Sequence, residues 1–208
     1  MSNSKADKQY IIIGAGGHAA VIADILLQSG CSIRGFLDDA VAVGTEVLGT
    51  KVIGKLDFCM DNKDCLFIIG VGDNGIRKEI SQSYPLDYGV ATHPSAIIGL
   101  QVSIGRGTVI MAGCVINSRT AIGEHCIINT NASIDHDSVV GDFTHISPGA
   151  VLGGTVIVGS NSHIGIGSCV KNNINISDDV IVGAGASVVK DINTSGTYVG
   201  VPVRRVNA

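Results

Sequence analysis

The chain has 208 residues, of which 45% are hydrophobic and 28 are glycine, and its formal net charge is −4. This length is sufficient for one or two domains with a buried core. The weak negative charge excludes nucleic acid and anionic membrane surfaces as predicted partners. In addition, no apolar run approaches the roughly 18 residues of a membrane span.

The predicted cellular location rests on the start of the chain and on its cysteines. From the polar start MSNSKADKQ we expect no signal peptide. The six cysteines form no C-x-x-C pair and no regular framework. We therefore predict small, buried cysteines in a cytoplasmic protein.

Strands that alternate with helices are predicted for the first part of the chain. The run QYIIIG is typical of a buried parallel strand, and the apolar residues from Ala19 to Leu26 have helical spacing, with Gly30 placed to end the helix. SIRGFLDD and CLFIIGVGD predict two further strands, and NGIRKEISQS predicts a second helix. This alternation indicates a small Rossmann-like parallel α/β sheet, which we place in a domain at residues 1–92.

A glycine-rich turn joins the first strand to the first helix. Residues 14–19 fit G-x-G-x-x-A, in which glycines let the backbone approach a phosphate at a helix N-terminus, and acidic residues further on can bind a ribose. A tight turn without a ligand fits the same residues. The domain is too short for a full dinucleotide fold, so a single nucleotide fits better. The nucleotide-binding candidates are Gly14, Gly16, Gly17, His18, Asp38, Asp39 and Gly72.

From residue 98 onward a branched aliphatic residue recurs at every sixth position. The series is Ile98, Ile104, Ile110, Ile116, Ile122, Ile128, Ile134, Val140, Ile146, Leu152, Val158, Ile164, Val170, Ile176, Val182 and Val188. A small residue follows most of them after four positions, and Gly, Asn or Asp often follows directly, where we predict the tight corners. This period predicts a parallel β-helix with three hexapeptides per triangular coil. Residues eighteen apart then stack in columns with a spacing of about 4.8 Å.

The column rule predicts which residues of the β-helix lie side by side. His136 and Gly154 are eighteen apart, and Asp137 follows His136 directly. A histidine oriented by a carboxylate is suited to act as a general base, and a backbone N–H at Gly154 can face an oxyanion. The alternative for His136 is an ordinary exposed corner residue. His145 and His163 are predicted to stack as a positioning or packing pair.

Some β-helix proteins bind zinc through histidines. A site resembling that of the gamma carbonic anhydrases needs an H-x-x-x-x-H pair and a third histidine, whereas the relevant histidines here are nine and eighteen residues apart. We therefore predict no metal site, and we predict that His125 lies on the surface.

The combined pattern resembles the bacterial family of nucleotide-sugar and sialic-acid acetyltransferases. The resemblance rests on IIIGAGGH near the start, HPSA at residues 93–96, the hexapeptide coils and the ending GTYVGVPVRRV. It implies a left-handed β-helix at residues 93–208 and a homotrimer with active sites at the seams between subunits. It also implies acetyl-CoA as cosubstrate, and an α/β domain that holds the nucleotide of the sugar.

The resemblance also implies roles for individual residues. His136 with Asp137 matches the general base and its acidic neighbour, and Gly154 matches the oxyanion amide. His145 matches a residue near the acetyl carbonyl. Contacts to CoA are implied at Gly165, Gly183, Gly185, Pro202 and Arg204. The implied reaction is direct transfer, in a ternary complex, of an acetyl group to the amine of a UDP- or dTDP-linked 4-amino-4,6-dideoxy sugar.

Three other functions stay open at this point. An O-acetyltransferase acting on sialic acid or another sugar shares every motif quoted above. An NAD-dependent reductase explains the glycine-rich turn but leaves the sixteen aliphatic positions without a purpose. A non-catalytic trimeric scaffold predicts that no thioester binds.

Overall fold

The computed structural model describes residues 9–206. Residues 1–8 and 207–208, which include most of the polar start and the outer ends of the two predicted domains, lie outside the described residues. The chain divides into two compact units with the boundary between Pro94 and Ser95, whereas the sequence placed it after residue 92. No helix within residues 9–206 has the length and apolar character needed to cross a membrane.

The first unit is a parallel α/β sheet with one antiparallel edge strand. The strand order is β3-β4-β2-β1-β5, and only β3 and β4 pair antiparallel. Strands β1 and β5 are buried at every position, which explains their continuous apolar sequence. The elements are β1 (Tyr10–Ile13), α1 (Gly17–Gln28), β2 (Ile33–Leu37), β3 (Glu46–Val47), β4 (Thr50–Gly54), a 3₁₀ helix (Leu56–Asp61), β5 (Leu66–Ile69), α2 (Asn74–Ser83) and β6 (Ala91–Thr92).

The second unit is a parallel β-helix of short strands. Residues eighteen apart pair in register, as Ile116 does with Ile134. Each aliphatic residue of the predicted series is the last residue of its strand, and all of them from Ile110 onward are buried. The strands are β7 (Ile97–Ile98), β8 (Ser103–Ile104), β9 (Val109–Ile110), β10 (Val115–Ile116), β11 (Ala121–Ile122), β12 (Ile127–Ile128), β13 (Ser133–Ile134), β14 (Val139–Val140), β15 (His145–Ile146), β16 (Val151–Leu152), β17 (Ile157–Val158), β18 (His163–Ile164), β19 (Cys169–Val170), β20 (Asn175–Ile176), β21 (Val180–Val182), β22 (Ser187–Val188), β23 (Gly196–Val199) and β24 (Arg204–Arg205).

The tight corners lie three residues after each aliphatic residue, and not directly after it as predicted. Every sixth residue from Gln101 to Gly185 has a positive φ. The glycines that directly follow the aliphatic residues have a different cause. A Cβ on Gly141, for example, would lie 2.6 Å from Ser160 N in the next coil. Glycine is therefore needed there because two coils approach closely, and not because the backbone is left-handed.

His125 is buried, contrary to the prediction of a surface position. Its side chain is 2% exposed, and its ring stacks on Phe143 one coil away, with the centroids 5.3 Å apart. In the other direction along the column, Gly107 has no side chain, and a Cβ there would collide with the imidazole. The neighbours of His125 in its column thus bury a ring that was predicted to lie on the surface.

The sequence predicted that all six cysteines are buried, but two of them are not. Cys31 is half-buried and Cys169 is exposed, whereas the other four are buried. Cys169 is exposed because it is the first residue of β19 and alternates with the inward Val170. Its Sγ lies 3.5 Å from Ser187 Oγ in the neighbouring strand.

Candidate active site

The glycine-rich turn follows β1, at the point where the strand order reverses between β2 and β5. The N–H of Gly14 donates to Leu37 O at the end of β2 (2.7 Å). Gly14 has a φ of +100°, and a Cβ on it would lie 3.2 Å from Gly70 O, just after β5. Both features require glycine. Ligands of open α/β sheets bind at such a switch point, outside the carboxyl ends of the strands.

The N-terminus of α1 is uncapped and open. Gly16 is the N-cap residue, no side chain caps the helix, and its first turn holds no acidic residue. A Cβ on Gly16, Gly17 or Gly72 would meet no atom within 4 Å. Because the first N–H groups of a helix lack partners within the helix and attract anions, this open end is suited to a phosphate.

The two acidic residues after β2 have different surroundings. Asp38 Oδ2 accepts from Ala15 N (2.8 Å), and its Oδ1 accepts from two N–H groups of the following loop (2.8 and 2.9 Å). Burial raises the pKa of Asp38, but these three donors outweigh it and hold the pKa below its usual value. Asp38 therefore ties the turn together, and its predicted contact with a ribose stays a prediction. Asp39 is exposed, and its Oδ1 accepts from Leu56 N (3.0 Å), so it is the better placed of the two to meet a ribose or base.

His18 and Arg77 are two basic side chains near the turn. Nε2 of His18 is buried without a hydrogen-bond partner among the described residues, and burial, with the charge of Arg77, lowers the pKa of His18 to about 4. Arg77, which the sequence analysis missed, is 1% exposed and donates to the carbonyls of Val71 and Gly72 (3.1 and 3.2 Å). It also donates to Asn74 Oδ1 (2.7 Å). Arg77 thus shapes the loop that carries Gly72.

His136, Asp137 and Gly154 lie together at the corner after β13. Nδ1 of His136 is 2.6 Å from Asp137 Oδ2. A Cβ on Gly154 would lie 2.8 Å from His136 Nε2, so glycine leaves the room that the ring occupies. The side chain of His136 is 51% exposed. With Nδ1 donating to the carboxylate, Nε2 is left as the acceptor, which is the arrangement of a general base.

The preceding coil supplies two residues that the sequence analysis missed. Arg119 donates from Nε and Nη2 to the two oxygens of Asp137 (2.6 and 2.8 Å). Asn117 Nδ2 donates to Asp135 Oδ1 (2.7 Å), which also accepts from the backbone N–H of His136 (2.8 Å). The bond from Arg119, followed by that from His136, holds the pKa of Asp137 far below its usual range. Both residues lie eighteen positions before their partners, so the column rule was the signal that would have found them.

His145 and His163 stack on another face of the β-helix. Their ring centroids are 4.7 Å apart. Asn129 Nδ2 donates to His145 Nε2 (3.0 Å), and Ser147 Oγ is 2.7 Å from His163 Nε2. Because His136 follows β13 and His145 begins β15, which belongs to a different sheet, one chain does not bring these two histidines together.

The residues predicted to contact CoA lie in the later coils. Gly165 and Gly183 are consecutive members of one column: the N–H of Gly165 donates to Val182 O (2.9 Å), and a Cβ on Gly165 would lie 2.7 Å from the carbonyl carbon of Gly183. Both glycines come two residues after the strand position that His163 shares with Ile181. The structure therefore places these glycines beside the histidine stack.

The remaining CoA candidates are at the surface. Gly185 is an exposed corner residue with a φ of +65°. Pro202 and Arg204 are exposed in the ending of the chain, where the N–H of Val203 donates to Ser187 O (3.0 Å) and so attaches the ending to β22. Across the part of the chain that the structure describes, no three His, Cys, Asp or Glu side chains are grouped so that they could hold a metal ion.

Comparison with known proteins yields a family match for the first unit. The model of the PglD N-terminal domain matches residues 9–84. Among curated proteins, the UDP-N-acetylbacillosamine N-acetyltransferase of Bacillus subtilis is 37% identical over 112 residues, which are 50% of this chain and 52% of that protein. The match therefore spans about half of the length of that relative.

Solved structures that match almost the whole chain include two acetyltransferases with bound ligands. The acetyltransferase domain of PglB from Neisseria gonorrhoeae, solved in complex with acetyl coenzyme A, has a TM-score of 0.90 and 33% identity, and the match covers 96% of this chain and 99% of that one. PerB from Caulobacter crescentus, in complex with CoA and GDP-perosamine, has a TM-score of 0.89 and 33% identity, with 97% and 99% covered. The expected fold, an α/β domain followed by a left-handed parallel β-helix, is confirmed.

Proposed function

The chain belongs to the family of nucleotide-amino-sugar acetyltransferases, and on that premise we propose that it transfers the acetyl group of acetyl-CoA to the amine of a nucleotide-linked 4-amino-4,6-dideoxy sugar. The observation that carries the proposal is the His136–Asp137 pair beside Gly154. Support also comes from the similar PglB and PerB structures, which hold acetyl coenzyme A in one case and CoA with GDP-perosamine in the other.

The proposed reaction is a direct transfer with His136 as general base. The amine nitrogen of the sugar attacks the thioester carbonyl carbon, and Nε2 of His136 accepts a proton from that nitrogen. Asp137 keeps the other ring proton on Nδ1 and stabilises the imidazolium that forms. The backbone N–H of Gly154 donates to the oxyanion of the tetrahedral intermediate. The C–S bond then breaks, and the CoA sulfur leaves and takes up a proton.

The α/β unit is proposed to bind the nucleotide. The uncapped N-terminus of α1 at Gly16 and Gly17 provides N–H donors for the phosphates. Asp39 is the acidic side chain that we assign to the ribose or base, because Asp38 is already occupied by three backbone donors. His18 and Gly72 flank this region.

The proposed assembly is a homotrimer in the cytoplasm. His136 and His145 lie on different sides of the triangular coil, so a site that uses both needs His136 from one subunit and His145 from the next. Trimer symmetry repeats that pairing at each of three seams. The cytoplasm is proposed because acetyl-CoA and nucleotide sugars are available there.

The test is release of free thiol from acetyl-CoA in the presence of different acceptors. The panel holds UDP-, dTDP- and GDP-linked 4-amino sugars and free sialic acid, since one relative is named for a UDP-sugar and another binds GDP-perosamine. We expect rapid release with one nucleotide-linked amino sugar. Release with sialic acid alone favours the O-acetyltransferase, and silence across the panel without CoA binding favours the scaffold. Tight binding of NAD instead favours the reductase.

His136→Gln tests the assignment of the base. We expect turnover to fall by roughly 10²–10⁴, the range for loss of a general base, while the melting temperature stays within a few degrees because the side chain is half exposed. Steady-state kinetics with the accepted sugar measure this. A folded variant that turns over at the wild-type rate would show that another group takes the proton.

A further inference from the structure

Arg119 and Asp137 occupy equivalent corners of consecutive coils. They are eighteen residues apart, and their φ values are 61° and 59°, so the two side chains leave the coil at stacked positions. Arg119 Nε donates to Oδ1 of Asp137 (2.6 Å) and Nη2 donates to Oδ2 (2.8 Å). Oδ2 is the same oxygen that faces His136 Nδ1 (2.6 Å). One carboxylate is therefore held by a guanidinium on one side and meets the imidazole on the other.

We propose that Arg119 is a positioning residue for the general base: its guanidinium fixes the carboxylate of Asp137 so that Oδ2 receives the Nδ1–H of His136. The proposal rests on the function proposed above for His136. Arg119 touches neither substrate in this scheme and acts through Asp137 alone.

The chemistry of the contact supports orientation as its purpose. Asp137 is 36% exposed and Arg119 is 56% exposed, and exposed ion pairs contribute little to folding. A carboxylate at a solvent-exposed corner is free to rotate unless something holds both oxygens. The planar fork of arginine does so, whereas a lysine ammonium is a point charge that leaves the carboxylate plane less defined. Loss of Arg119 is therefore expected to disturb the orientation of the pair more than the stability of the fold.

The preceding coil also supports the backbone of His136, through Asn117 and Asp135. Asn117 Nδ2 donates to Asp135 Oδ1, and that oxygen accepts from the backbone N–H of His136. The backbone position of His136 thus has its own support, which does not depend on Arg119. An Arg119 variant should consequently keep the ring at the site while releasing its Nδ1 partner.

The kinetic test compares Arg119→Gln and Arg119→Lys with a matched control. Arg106 donates one bond to Glu124 (3.0 Å) at the same eighteen-residue spacing and with similar exposure, so Arg106→Gln removes an exposed arginine–carboxylate pair away from His136. We expect Arg119→Gln to lower kcat by about 10- to 100-fold with KM values for both substrates changed by less than about threefold. We expect Arg119→Lys to recover part of the loss and Arg106→Gln to behave as wild type. Equal kcat in Arg119→Gln and wild type, or an equal loss in Arg106→Gln, overturns the proposal.

A second measurement does not depend on catalysis. In protein labelled with ¹⁵N-histidine, the ring nitrogen shifts report the tautomer, and the His136 signals are assigned by their absence in His136→Gln. We expect the Nδ1–H form in wild type and in Arg106→Gln, and a mixture of tautomers in Arg119→Gln. An unchanged tautomer in folded Arg119→Gln overturns the proposal. If the wild type is inactive with every acceptor, the function proposal fails, and this spectrum still decides the role of Arg119. If Arg119→Gln does not fold, Arg119→Lys is measured in its place, and the proposal falls if its tautomer and kcat both equal those of wild type.

Discussion

The left-handed backbone at Asp137 belongs to the coil rather than to the catalytic chemistry. Residues with side chains seldom adopt positive φ, at a cost of roughly 1–2 kcal/mol, and such positions often mark functional strain. Here the same conformation recurs at Gln101, Phe143 and Thr155, none of which belongs to the proposed site. What distinguishes Asp137 is its pair of partners, a cation from the preceding coil and a histidine beside it.

At the same scale, His18 should make the stability of the protein depend on pH. Its pKa is lowered from 6.5 to about 4 by burial and by Arg77, so the folded chain keeps it neutral while an unfolded chain protonates it near pH 6.5. The stability that this difference provides is complete above pH 6.5 and is lost as the pH falls towards 4. In His18→Gln that loss disappears.

Urea unfolding of wild type and His18→Gln between pH 7 and pH 4.5 measures the effect. We expect the stability of wild type to fall more steeply with decreasing pH than that of the variant. His136→Gln, which changes an exposed ring, serves as the comparison for a histidine substitution as such. Parallel curves for wild type and His18→Gln would show that His18 titrates alike in both states.

At the scale of the element, a two-residue strand such as β13 has one side chain that points outward and one that is buried in the interior of the β-helix. In β13, Ile134 is fully buried and Ser133 is half-buried. Ile134→Ala removes buried methyl groups from the interior of the β-helix, and we expect a loss of about 2–5 kcal/mol in the free energy of unfolding. Ser133→Ala should change it by about 0.5 kcal/mol or less. Denaturant titration of both variants decides this, and similar losses would contradict the inward assignment.

The sequence indicates the elements of this fold better than its corners and surfaces. The aliphatic period identified the inward position of each coil from Ile110 onward, because a side chain that points into the triangle is buried there. The corner position was wrong, because glycine after the aliphatic residue reflects crowding against the next coil, as at Gly141. His125 was misplaced for a related reason, since its burial depends on Phe143 in a neighbouring coil.

The candidate site was predictable where one column rule sufficed. Spacing of eighteen brought Gly154 to His136, and the same rule applied to Asp137 would have found Arg119. Arg77 was not predictable in this way. Its partners Val71 and Gly72 are backbone carbonyls, which offer the same chemistry at every position, so no residue pattern announces the contact.

At the scale of the whole molecule, the separation of His136 and His145 within one chain has a testable consequence for the assembly. If each site combines His136 of one subunit with His145 of its neighbour, two inactive variants can complement each other. Random trimers of His136→Gln and His145→Gln chains contain wild-type pairs at about a quarter of their seams.

Co-refolding or co-expression of the two variants in equal amounts, followed by the thiol-release assay, measures this. We expect about a quarter of the wild-type activity in the mixture and very little in either variant alone. Each variant refolded or expressed alone in the same way gives the background activity. An inactive mixture that sediments as a mixed trimer would show that both histidines of a site come from the same chain.

The three coils that hold His136 with its neighbours Arg119 and Gly154 are followed by coils that repeat the same geometry. An insertion or deletion of one eighteen-residue coil beyond β17 keeps every corner and every inward side chain in phase. Each coil added or removed in this way changes the distance from the base to the ending of the β-helix by about 4.8 Å. The length of the β-helix can therefore change by whole coils while the geometry of His136, Arg119 and Gly154 stays the same.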